Sequence, residues 1–230
     1  MRRLAPIGDE RGMTLIELVV AMAAGMIVFA GITTMVAASL NQSTRVTRRV
    51  HATQEARMTV HRVVTELHSA CVAAEVAPIQ EGSSGTSLSF VYQTGSAATL
   101  TPVLHKISLT GTTLSLSTYP STSGSIPEWK FSSTASSTST LMTNVSAISA
   151  SEPIFTYYKY VNGLISSTPL TVPLSEANAL AAVQIDIALK VTPPGRTTGA
   201  AKLPGIVQDS ALLRFTPPGG KSTALNLPCE

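Results

Sequence analysis

Apolar residues run almost unbroken from Leu18 to Leu40, with a single acid, Glu17, at the head of the run. Roughly two dozen residues at about 1.5 Å of helical rise each cross a hydrocarbon layer of about 30 Å. The pattern then narrows to one helical face. Val46, Val50, Thr53, Ala56, Val60, Val63 with Val64, Leu67 and Cys71 recur at spacings of three and four. Neither proline nor glycine interrupts Ile32 to Ala77, and Pro78 sets an outer limit. The two patterns join into one predicted helix of about 60 residues.

From Leu88 the period changes to two. Leu88, Phe90 and Tyr92 alternate with Ser89, Val91 and Gln93. Ile107 and Leu109, then Leu114 and Leu116, flank Thr110-Gly111-Thr112 and predict a hairpin. Residues 120–140, rich in serine and threonine, read as a loop that is mobile or packs only at Trp129 and Phe131. Ile154–Tyr160 is an aromatic-rich strand, and Ser175 can cap a short helical turn. Val183 to Val191 alternates most regularly, Pro193-Pro194-Gly195 ends it, and Val207–Phe215 is the last predicted strand. The expected architecture is α+β: a long N-terminal transmembrane helical spine packed on a β-rich antiparallel head. The expected divisions are 13–40, a membrane-spanning half-helix, 41–75, its amphipathic half, and 76–230, the head.

Charge changes this picture little. The pI near 9.0 invites a nucleic-acid reading. Residues 1–12 carry a net +1 and residues 13–71 a net +2, whereas 72–230 balance to zero. The head therefore has no electrostatic footprint for nucleic acid. Arg45, Arg48 and Arg49 follow the span closely; lipid headgroups, a neighbour's acids or plain solvent would all suit them. These arginines compete with Arg2, Arg3 and Arg11 under the positive-inside rule, so charge does not fix the orientation.

Candidate chemistry is sparse. Cys71 and Cys229 are the only cysteines, a candidate disulfide in an exported domain that would contribute about 4–5 kcal/mol by chain entropy. The other reading buries Cys71 as a small apolar residue on the helix seam. His51, His61, His68 and His105 lack HExxH or paired CxxC companions, so no metal site is expected. No nucleophile elbow, phosphate loop or dinucleotide fingerprint occurs, so neither an enzyme nor a cofactor is expected.

The remaining signal is Glu17. A carboxylate in a spanning helix costs about 2.5–3.5 kcal/mol near the bilayer centre, which calls for a partner. A cut after Gly12 would place a new amine on Met13, one helical turn before Glu17. A packed neighbour's amine would serve as well. Gly12-Met13-Thr14-Leu15-Ile16-Glu17-Leu18, after a short basic leader (1–12) and before an apolar run, resembles the class III signal of type IV prepilins and type II secretion pseudopilins. That resemblance implies a pilin-like fold, cleavage between Gly12 and Met13 by a prepilin peptidase, N-methylation of Met13, and Glu17 as the assembly acid. It also implies as partners other pilin or pseudopilin subunits, an inner-membrane assembly platform, and membrane lipid before assembly. The expected location is the cytoplasmic membrane, single-pass with the head outside, and then a pilus or pseudopilus.

Met13 stands where the family usually has Phe. No proline occurs in the span, leaving Gly25 and Gly31 for any local melting. The order of elements is similar to W-type minor pilins and J-type minor pseudopilins. The function implied is a minor subunit of a filament, or of its initiating tip complex, serving secretion, adhesion, motility or DNA uptake. The alternatives are a membrane-anchored extracytoplasmic binding or sensory domain, and an ordinary secretory signal cut near Val36-Ala37-Ala38.

Overall fold

A computed structural model describes residues 13–70, 77, 79–96, 99–125, 128–194 and 204–213. The chain divides into two compact units, Met1–Thr47 and Arg48–Glu230. One helix, α1 (Leu15–His68), begins in the first and ends in the second.

In the first unit every described side chain is exposed. The helix there is apolar and long enough to cross a membrane, with a mean hydropathy of 2.4 over its best window. Two threonine hydroxyls within its apolar run are satisfied by the helix itself. Thr33 donates to the carbonyl of Ala30 at 2.9 Å and Thr34 to that of Gly31 at 2.8 Å. Such back-bonding meets a hydroxyl's need for a partner where water is absent.

In the second unit α1 buries Ala52, Ala56, Thr59, Val60, Val63, Val64 and Leu67, a stripe at spacings of three and four. The expected seam thus starts later than its pattern proposed, because Val50 is still exposed. Ser69 and Ala70 donate their N–H groups to Glu66 and Leu67, three residues back, tightening the last turn. Ala70 then pairs with Tyr92 as an antiparallel bridge. The helix therefore stops at His68 without proline or glycine, because the chain there leaves to pair with a strand.

Among the described residues, the rest of the second unit includes two five-stranded antiparallel sheets. The first contains β1 (Ser87–Ser96), β2 (Thr99–Thr110), β3 (Thr113–Ser125), β4 (Glu128–Phe131) and β5 (Ser137–Thr143). Strands β1 to β4 follow in order, with β5 pairing β3. The second contains β6 (Val145–Ser146), β7 (Phe155–Val161), β8 (Leu164–Ile165), β9 (Ala182–Val191) and β10 (Gly205–Leu212). Its order is β10-β9-β7-β8, with β6 pairing β9. A short α2 (Glu176–Ala181) precedes β9, capped by Ser175, whose Oγ accepts the N–H of Asn178. The predicted hairpin is β2–β3, and Gly111 takes the left-handed φ of 62° that its two-residue turn requires.

Residues 120–140 depart from expectation: β3 extends through Ser125, and β4 and β5 hold much of the remainder. Hydroxyl side chains offer little apolar surface to bury. Thr and Ser nevertheless fit a pleated surface when one face is solvated. Only Trp129 and Phe131 pack as expected, against Val91.

One contiguous core joins the α1 stripe to Leu88, Phe90, Ile107 and Leu114 of the first sheet and Tyr157, Ile185, Ile187 and Leu189 of the second. Tyr157 carries its hydroxyl into that core and donates to the carbonyls of Ser84 and Ser87 at 3.0 and 3.2 Å. Burial raises its phenol well above the usual range, so it remains a donor.

The strand pairing aligns hydroxyls on the face of the first sheet opposite the core. Ser87 lies opposite Ser108, Ser108 opposite Ser115, and Ser115 opposite Thr140. The next row is Ser89, Lys106, Ser117 and Thr138.

Gly205 brings β10 close to α1: a Cβ there would lie 2.7 Å from Thr53 Oγ1, which already donates to the Arg49 carbonyl. Gly205→Ala should therefore lower stability by about 1–3 kcal/mol, read as a shifted denaturant midpoint with an unchanged slope. An unchanged midpoint would mean that strand and helix can part without cost.

Candidate processing and assembly site

The helix carrying Glu17 starts with a reciprocal cap. The Thr14 N–H donates to Glu17 Oε2 at 3.0 Å, and the Thr14 hydroxyl donates to the same oxygen at 2.9 Å. In return the Glu17 N–H reaches Thr14 Oγ1 at 3.4 Å. This is a capping box, with Thr14 at the cap and Glu17 three residues on. It forms because the first N–H groups of a helix have no partner within it. The positive end of the helix dipole adds its attraction for the carboxylate. Met13 precedes the cap, outside the helix and exposed.

Gly12 lies outside the described residues, as do residues 1–11, Cys71 and Cys229. The bond expected to be cut and the candidate disulfide therefore have no geometry here. With its peptide bond to Gly12 intact, Met13 carries an amide in place of an amine, and the described partner of Glu17 is Thr14. That partner was missed in the sequence although its signal was present: Thr14-Leu15-Ile16-Glu17 has the cap spacing just before an apolar run.

The histidines separate into two kinds. His51, His61 and His68 are exposed on α1, and no group of three or more metal-ligating side chains occurs among the described residues. His105, on β2, is buried. Its Nδ1 lies 3.4 Å from Glu66 Oε2 on α1. Both atoms are buried, and neither has an aligned hydrogen-bond partner among the described residues. Arg62 Nε holds the other Glu66 oxygen at 3.1 Å. Tyr92 stacks on the imidazole at 4.8 Å between centroids, and Phe90 meets it edge-on at 5.6 Å. Burial works against ionisation of Glu66, but His105 and Arg62 beside it outweigh burial and hold its carboxyl below the usual range. The arrangement reads as a fastening of helix to sheet.

Residues 8–33, which include Gly12, Met13, Thr14 and Glu17, match the family model described as the prokaryotic N-terminal methylation motif. The match supports a type IV pilin-like protein. No curated protein and no solved structure matches the chain. The motif implies processing by a prepilin peptidase and assembly with other pilin subunits in general terms. Together with the apolar half of α1 it supports a single-pass membrane anchor. It points to a structural subunit more than to an enzyme. The architecture, a long N-terminal helix packed on an antiparallel β head, is consistent with a pilin-like α+β fold.

Proposed function

We propose that the chain is a minor type IV pilin or pseudopilin subunit, held in the cytoplasmic membrane with its head outside until it is assembled. In this reading a prepilin peptidase cuts between Gly12 and Met13, and Met13 is N-methylated. Glu17 then leaves its own Thr14 for the cationic amine of a neighbouring subunit. Other pilin or pseudopilin subunits and an inner-membrane assembly platform are its partners, and the filament or its initiating tip complex is its destination. The kinship with W-type minor pilins and J-type minor pseudopilins belongs to the same proposal.

One observation carries the reading: the methylation motif places its acid at the cap of a helix whose first half is apolar and wholly exposed. An exposed apolar helix of this length needs lipid or a helical neighbour around it. An acid fixed at its head gives that neighbour a register mark.

Mass spectrometry of the chain recovered from its native membrane tests the proposal. The expected N-terminus is Met13 bearing one added methyl group. An intact Met1 would instead favour an anchored binding or sensory domain, and a start near Ser39 a secreted protein.

A further inference from the structure

We propose that Arg48 and Arg49 of α1 form a seat for the phosphate of an anionic lipid headgroup. It rests on the single-pass anchor and goes beyond the filament reading, since it needs neither cleavage nor assembly. Both arginines are exposed, and neither forms an ion pair among the described residues. They lie four and three residues before Ala52, the first buried residue of α1, and so on the face that the head covers one turn later. There Thr53 donates to the Arg49 carbonyl at 2.9 Å, and Gly205 opens β10 against that same threonine. The two arginines therefore stand at the rim where the head begins to cover the helix.

Charge selects the occupant. No carboxylate stands three or four residues from either arginine, and Glu55, the nearest acid in α1, is six residues beyond Arg49. The strand ends at this rim, 188–194 and 204–208, bring Lys190 and no Asp or Glu. Arg45, one turn earlier in the sequence, adds charge of the same sign. This positive surplus follows the span closely: Arg48 comes eight residues after Leu40 in one helix, about 12 Å of rise. Side chains of a helix tilt toward its N-terminus, here toward the span, and long arginine stems reach back to the polar layer. Lipid phosphates fill that layer as soon as the anchor is inserted, whereas a neighbour's acids arrive only with assembly. A guanidinium is weakly hydrated and forks onto two phosphate oxygens. It favours a lipid of net negative charge over one whose phosphate is neutralised by its own ammonium.

The test reconstitutes the full chain in lipid nanodiscs holding equal phosphatidylcholine and phosphatidylglycerol. The chain is then extracted in limiting polyoxyethylene detergent, and the lipid that stays with it is quantified by mass spectrometry. The parent is expected to retain phosphatidylglycerol over phosphatidylcholine by about tenfold. Arg48→Gln combined with Arg49→Gln should cut that ratio by about threefold or more. Both side chains are exposed, so this variant should unfold at the parent's midpoint. Arg57→Gln loses one charge two turns farther along α1 and should retain lipid as the parent does. The proposal is overturned if the inserted parent holds both lipids alike, or if Arg57→Gln lowers the ratio as far as the double variant. It is also overturned if the double variant keeps the parent's ratio; poor filament entry by that variant would then assign the arginines to a neighbouring subunit's acids. A chain that does not enter the discs overturns the anchor and this seat together, whereas lost preference in an inserted chain overturns the seat alone.

Discussion

Glu17→Gln should be cut and methylated normally yet enter filaments at less than a tenth of the parent's level. Glutamine is an accepted capping-box residue, so it keeps the bond from the Thr14 N–H and preserves the helix start. What it loses is the charge. An amine and a carboxylate about 4 Å apart near a protein surface attract by about 4 kcal/mol, and about 1.4 kcal/mol already corresponds to a tenfold change in an equilibrium. Glu17→Ala removes cap and charge together, so it should assemble no better than Glu17→Gln. Quantitative immunoblotting of sheared filaments against membrane-retained chain gives the ratio. If Glu17→Gln assembled like the parent while Glu17→Ala did not, the cap would be the functional element and the proposed charge pair would be wrong.

His105→Ala should cost about 3 kcal/mol or more in global stability. It removes a ring packed against Tyr92 and Phe90, and it leaves Glu66 Oε2 buried without its neighbour. Glu66→Gln should cost less, because the amide can still face the imidazole, but it should alter the acid limb. The folded-state pKa of Glu66 lies below its unfolded value, so its contribution to stability is fully present above the unfolded carboxylate range. That contribution is lost as pH falls through the lower, folded pKa. Denaturant midpoints measured from neutral to acidic pH should therefore fall less steeply for Glu66→Gln than for the parent. Parallel curves would show that Glu66 does not couple helix to sheet through its charge.

The sequence conveyed those parts of the fold whose pattern is local. The run from Leu18 to Leu40, the alternation across β9 and the Thr110–Thr113 turn each announce themselves within a few residues. The polar strands did not, because alternation of serine with threonine carries no apolar period to read. Their strand character follows from pairing, the end of β3 with β4 and β5 with the first part of β3, which the residues of one strand alone do not announce. The end of α1 was hidden for a similar reason. Nothing in Ser69 or Ala70 breaks a helix, and only the bridge to Tyr92 turns the chain aside. Nothing beside His105 in the chain points to Glu66, and only the fold sets the two together. The cap at Thr14 is the opposite case. It is fully local, since Thr14-Leu15-Ile16-Glu17 holds both partners within one turn.

The inward-turned hydroxyls of Thr33 and Thr34 have a consequence for the life of the helix. Because each already holds a carbonyl of the preceding turn, neither makes any demand on whatever surrounds it. This stretch can exchange acyl chains for the flank of a sister helix with no polar group stranded on either side of the transfer. Its affinity for the two media then depends on shape and contact alone, which lets a small electrostatic preference at its tip decide where it resides.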